Sequence, residues 1–150
     1  MRKSIGFLLI FLLPLGANFY SQDLSLCEFI GKSSGEVIKK FGKPKFHDKS
    51  NPAMECIFYQ NNKARMAFIS DKDGVFQIQV DFMYNNKAQA DKALGEFLDM
   101  CATKSLEVDT LSAADYKITG KGIRMELSMF NNTYTKKYEI KFKAEKTAWN

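Results

Sequence analysis

The sequence predicts an α+β domain: an antiparallel β-sheet packed by helices on one face, in the order α-βββ-α-βββ. Three observations carry that prediction. Phe76, Ile78, Val80, Phe82 and Tyr84 alternate with Gln77, Gln79, Asp81 and Met83, the period of two of a strand with one apolar and one wet face. Immediately afterwards the apolar positions change to a period of about 3.6, which is helical. The last third then returns to short alternating runs separated by Gly and Asn turns.

The elements follow in chain order. Leu24 to Ile30 forms a helical turn, with Asp23 in position to cap it. Ser33 and Glu36 have the spacing of a capping box, in which the hydroxyl takes one orphan N–H and the carboxylate reaches back to another. A helix therefore starts at Ser34, with Val37, Ile38 and Phe41 on one face and Lys39 and Lys40 on the other. Gly42 supplies a left-handed stop and Pro44 forbids continuation, so it ends near Phe41. Lys45 to Met54 is polar and reads as a loop. Cys56 to Gln60, Ala64 to Ser70 and Phe76 to Tyr84 read as three strands, with turns at Asn61–Asn62 and Asp73–Gly74.

From Lys87 to about Lys104, Ala90, Ala93, Leu94, Phe97, Leu98 and Cys101 line one stripe of a second helix, capped by Asn85 or Asn86. Asp115 to Thr119, Ile123 to Phe130 and Tyr134 to about Lys143 complete the second set of three strands. In the final one Lys137, Glu139, Lys141 and Lys143 are the outward positions, of the kind that guard a sheet face or edge. The order suggests a duplication without residue identity between the halves.

The chain has 150 residues, 45% hydrophobic and 26% charged, with 13 Phe and 6 Tyr, which suits one globular domain and excludes disorder and collagen. Its first residues are compositionally separate. Arg2 and Lys3 precede a short apolar run from Ile5 to Leu15 broken by Pro14, the pattern of a secretory signal peptide. Residues 1–21 are therefore expected to be cleaved, leaving 22–150 as a single α+β domain that is periplasmic or secreted. Leu24, Ser25, Leu26 and Cys27 loosely echo a lipobox. Leu26 is bulky for the place before a modified cysteine, so lipid anchoring at Cys27 is the weaker reading.

Losing Arg2 and Lys3 with no acid lowers the formal charge from +5 to +3. Export and that mild charge argue against a nucleic-acid partner. Lys39, Lys40, Lys43, Lys45 and Lys49 read as a solvated helix end and loop. The alternative for them is a patch for anionic lipid or glycan, a peripheral membrane contact.

Ile30, Gly31, Ser33, Glu36, Val37, Gly42 and Pro44, with the aromatic strand Ile57, Phe58 and Tyr59 and the hairpin through Gly74, Val75 and Ile78, form a recognisable phrase. Over residues 29–80 it resembles the BamE-like outer-membrane lipoproteins and the β-lactamase inhibitor protein. In those families Gly-x-[Ser/Thr]-x-x-x-Val opens a short helix packed on an antiparallel sheet, and Gly31, Ser33 and Val37 hold those places. The resemblance implies an envelope protein that binds or scaffolds other proteins without catalysis.

Reactive chemistry is sparse. His47 is the single histidine and sits in the polar segment, which excludes multi-histidine metal sites and leaves one candidate base. Phosphate-loop, dinucleotide and nucleophile-elbow spacings are absent. Asp71 and Asp73 belong to a turn, with too few oxygens for calcium. Asn131, Asn132 and Thr133 match a glycosylation triplet beside a turn. No catalytic residue, cofactor or metal is expected.

Cys27, Cys56 and Cys101 permit one disulfide and one leftover thiol in an oxidising compartment, and spacing does not choose the pair. The favoured function is a non-enzymatic, exported module that contacts another envelope protein through a sheet face or the Lys43–Met54 segment. Phe46, Met54, Phe58 and Tyr59 are the contact candidates, with core packing as the alternative role, above all for Phe58. The second reading is a small hydrophobic-ligand or lipid carrier, its pocket between the sheet and the Phe97 helix.

Overall fold

The computed structural model describes residues 24–148; the expected leader, residues 1–21, and its cleavage point lie outside them. A 3₁₀ turn at Leu24–Phe29 precedes α1 (Ser34–Phe41). Four strands follow: β1 (Phe46–Asn51), β2 (Met54–Gln60), β3 (Ala64–Asp71) and β4 (Gly74–Tyr84). After α2 (Lys87–Thr103) come β5 (Glu107–Thr110), β6 (Asp115–Gly120), β7 (Ile123–Asn132) and β8 (Lys137–Lys146).

The expected order α-βββ-α-βββ is thus corrected to α-ββββ-α-ββββ, and the strands form one eight-stranded antiparallel sheet that dominates the molecule. The two strands missed, β1 and β5, are its two edges. Phe46–Asn51 reads FHDKSN and Glu107–Thr110 reads EVDT, with no alternation of apolar residues. An edge strand packs little of itself and takes its conformation from the neighbour it pairs with, so its sequence need not carry a strand signal.

Strand order is β1-β2-β3-β4-β8-β7-β6-β5. Each half is a four-stranded meander preceded by a helix, and the halves meet through the antiparallel pair β4–β8. β8, whose outward charges suit either a sheet face or an edge, is central, so they guard a face.

Local chemistry explains α1. The Glu36 N–H donates to Ser33 Oγ at 3.3 Å, and the Ser33 N–H donates to the Glu36 carboxylate at 2.9 Å. Gly42 closes the helix at φ 78° and its N–H donates to the Ile38 carbonyl at 2.8 Å. Val37 is fully buried, and Phe41 lies 5.2–5.6 Å from the rings of Phe29, Tyr59 and Phe68. Burying a side chain the size of Phe68 is worth about 1.5–3 kcal/mol, so this aromatic group is what holds α1 to the sheet.

Register fixes which face is core. His47, Ile57, Phe68, Ile78, Ala144, Met125, Ile118 and Val108 form one unbroken row across all eight strands on the helix side. α2 lies over it, with the Phe97 ring 5.3 Å from that of Phe142. Near the start of β4 a bulge opposite Ile69 and Ser70 shifts the alternation, so Val75 is buried and Phe76 only half-buried. There Gly31 and Lys32 pair with Val75 by backbone hydrogen bonds of 2.7 and 2.8 Å, tying the N-terminal segment to the sheet.

Candidate functional site

Among the described residues the helices cover one face of the sheet, and the opposite face is open. Its central row is Phe46, Phe58, Ala67, Gln79, Lys143, Glu126, Lys117 and Asp109, one residue from every strand. At the β5 end, charges of alternating sign stand opposite one another, a solvated and self-neutralising pattern. At the β1 end the same row is aromatic. Phe46 is 60% exposed, and Met54, on the same face of β2 as Phe58, is 42% exposed. Half-buried Cys56, Ala67 and Ile69 continue the apolar surface.

Three of the four residues singled out from the sequence therefore lie on this face, Phe46 paired with Phe58, and Met54 further along β2 beyond Cys56. Tyr59 is not among them. Adjacent strand residues point to opposite faces, and Tyr59 is buried under α1 with its hydroxyl donating to the Gly42 carbonyl at 2.9 Å. The Lys43–Met54 segment is a loop only at its start, since β1 occupies most of it. Phe130, an aromatic of the charged half, is 37% exposed and has the Lys141 ammonium 5.6 Å from its ring centre, which gives it a cationic cover.

The charged part of the face is tightly paired. Arg65 Nη2 lies 2.9 Å from Glu139 and 3.3 Å from Asp81. Glu139 also accepts from Asn132 Nδ2 at 2.9 Å and Thr135 Oγ1 at 3.0 Å, so it is 1% exposed although it points away from the helices. Glu145 receives Lys143, and Arg124 at 2.7 Å; the two cations hold its carboxyl below the ordinary range.

On the helix side, the Glu55 carboxylate lies 2.7 Å from His47 Nε2. The Ser34 hydroxyl first, then His47 and Lys49, hold Glu55 below the ordinary carboxylate range. His47 is thus engaged with a carboxylate at the edge of the sheet.

Cys56 and Cys101 are free thiols on opposite faces of the sheet, and Cys27 Sγ lies 3.5 Å from Met125 Sδ. Burial pushes the Cys101 thiol up to about 11, away from the thiolate needed for redox chemistry. The Asp71 carboxylate accepts from the Asp73 N–H at 2.8 Å, which is turn chemistry. Among the described residues no three His, Cys, Asp or Glu side chains converge as a metal site. Between α2 and the sheet Phe97 packs against Phe142, both almost fully buried.

No family model and no curated protein matches this chain. Among solved structures it is similar to an extracellular protein with an SCP domain from Bacillus anthracis (TM-score 0.49, 14% identity, 85% of this chain and 48% of that one). It is also similar to a cysteine-rich secretory protein from Staphylococcus aureus (TM-score 0.46, 9% identity, 77% of this chain and 44% of that one). The chain spans about half the length of these proteins. The resemblance of residues 29–80 to BamE-like lipoproteins and the β-lactamase inhibitor protein is corrected: no family model matches this chain, and that stretch folds as part of one eight-stranded sheet shared with β5–β8. Its motif residues are accounted for locally, Ser33 and Glu36 as an N-terminal cap and Gly42 as a C-terminal one.

Proposed function

We propose that the protein is an exported, non-enzymatic module that binds another envelope protein through the apolar end of its open sheet face. The observation that carries this reading is the exposure of Phe46 and Met54 beside Phe58 on one face of β1 and β2. An exposed Phe and Met with a half-buried Phe on one sheet face, bordered by paired charges, have the composition of an interface centre with a polar rim. Export rests on the Arg2–Lys3 tip and the apolar run that follows it. The absence of a motif for reactive chemistry, and a single histidine engaged with Glu55, favour binding over catalysis.

The test is co-purification from an envelope fraction with the wild-type chain and with Phe46→Ser/Met54→Ser. Both side chains are exposed, so the melting temperature should hold within a few degrees. Loss of one specific, stoichiometric partner with the fold intact supports the reading. An unchanged partner set in the variant refutes it.

A further inference from the structure

A recess lies on the helix side, where the N-terminal segment meets β7 and β8. The 3₁₀ turn, the end of α2, the β6–β7 turn and the end of β8 enclose a groove of about 460 Å³. Leu24, Ile30, Leu106, Ile123 and Met125 make its apolar lining, with Leu24 and Met125 almost fully buried. Lys104, Lys121 and Lys146 border it, and Glu28 is the single acid there. Among the described residues none of the three lysines is within 4.0 Å of a carboxylate. They contrast with Lys87, Lys92 and Lys143, each of which is paired.

We infer that this groove binds the free, single-chain form of a long-chain carboxylic acid, with the tail along the apolar lining and the carboxylate among the three lysines. Charge complementarity chooses an anion, because three cations against one acid leave a net excess of two positive charges over an apolar recess. The volume, near the lower end of the roughly 300–1,000 Å³ of small-ligand sites, suits one chain. A bilayer surface fits less well. Among the described residues the exposed large apolar side chains are Phe46, Met54, Val108, Leu111, Phe130 and Tyr134, and none of them lines this groove. The apolar surface here is recessed, so a molecule must enter it. The site is independent of the open sheet face, and either assignment can fail without the other.

The test is calorimetric titration of the purified full chain with dodecanoate below its micellar concentration, in low salt. Dodecanoate should bind one to one, and octanoate should bind at least tens-fold more weakly, since each buried methylene is worth about fourfold in affinity. Dodecyltrimethylammonium, with the same tail and the opposite charge, should not compete. Lys104→Ala/Lys121→Ala/Lys146→Ala changes only exposed side chains and should weaken dodecanoate binding by about tenfold or more, at about two- to fivefold per cation. A second variant, Leu106→Ser, should weaken binding while leaving the salt dependence in place. The inference is overturned if dodecanoate does not bind, if the triple variant binds it as well as wild type, if the trimethylammonium competes, or if only anionic phosphatidylglycerol vesicles are bound.

Discussion

Replacing Glu139 by Leu tests whether the buried acid on the open face holds the β7–β8 hairpin to the first half of the sheet. Glu139 is 1% exposed and accepts from three side chains: Arg65 at 2.9 Å, Asn132 at 2.9 Å and Thr135 at 3.0 Å. Removing one member of a buried ion pair typically costs about 3–5 kcal/mol, because the partner is left uncompensated. Here the cost is smaller. Arg65 keeps Asp81 at 3.3 Å and is one-third exposed, and Asn132 and Thr135 are only half-buried, so water can reach the orphaned donors. The expected destabilisation is about 2–3 kcal/mol for Glu139→Leu, which lowers the melting temperature by roughly 6–15 °C for a domain of this size. Glu139→Gln keeps the shape and most of the hydrogen bonds and should cost about half as much. Urea unfolding with a common m-value gives the numbers, and a double-mutant cycle with Arg65→Leu isolates the pair. Glu139→Leu within about 0.5 kcal/mol of wild type, or a coupling energy near zero, refutes the reasoning.

Gly74→Ala should cost about 2–4 kcal/mol by urea unfolding, since Gly74 has φ 104° and a Cβ there would stand 2.7 Å from the Gly31 carbonyl oxygen. Ser33→Ala removes the hydroxyl half of the α1 cap and should cost about 1 kcal/mol, with Ser33→Asp restoring most of it. Glu55 and Glu145 bind protons more weakly folded than unfolded, so the unfolded chain takes up more protons as the pH falls. Stability should therefore be intact above the ordinary carboxylate value of 4.5 and decline as acid titrates their folded forms, which thermal melts between pH 7 and pH 3 will show. Glu55→Gln should flatten that decline.

How much of this was legible in the sequence follows from how local each signal is. α1 is legible in the sequence because Ser33, Glu36 and Gly42 act within one helical turn of the ends they define. β4 and α2 were legible because burial on one side imposes a period that survives in the sequence. β1 and β5 were not, because an edge strand inherits its conformation from its neighbour. Phe58 and Tyr59 look alike in sequence, and only the register with Ala67 and Met66 decides that one faces the open side and the other the core. Glu139 reads as one more outward charge in β8. Its burial depends on Arg65 from β3 and on the turn after β7, separations that no local pattern records. The lysine-bordered groove has the same origin, since its residues come from four stretches of the chain.

The asymmetry of the open face is the strongest argument that it is used. By topology the two halves are equivalent, each a helix and a four-stranded meander meeting at β4 and β8. If the uncovered face needed only to stay soluble, the same solution would serve at both ends: Lys143, Glu126, Lys117 and Asp109 alternate in sign along one row and leave little to bind. Across the β4–β8 junction that row becomes Gln79, Ala67, Phe58 and Phe46. Nothing in the packing of the core requires an aromatic at the outer edge, because Phe46 faces away from the helices and is mostly in solvent. An exposed edge strand carrying aromatics is a liability for aggregation. That the fold neutralises this liability in one half and retains it in the other is what supports the proposed contact surface on β1 and β2.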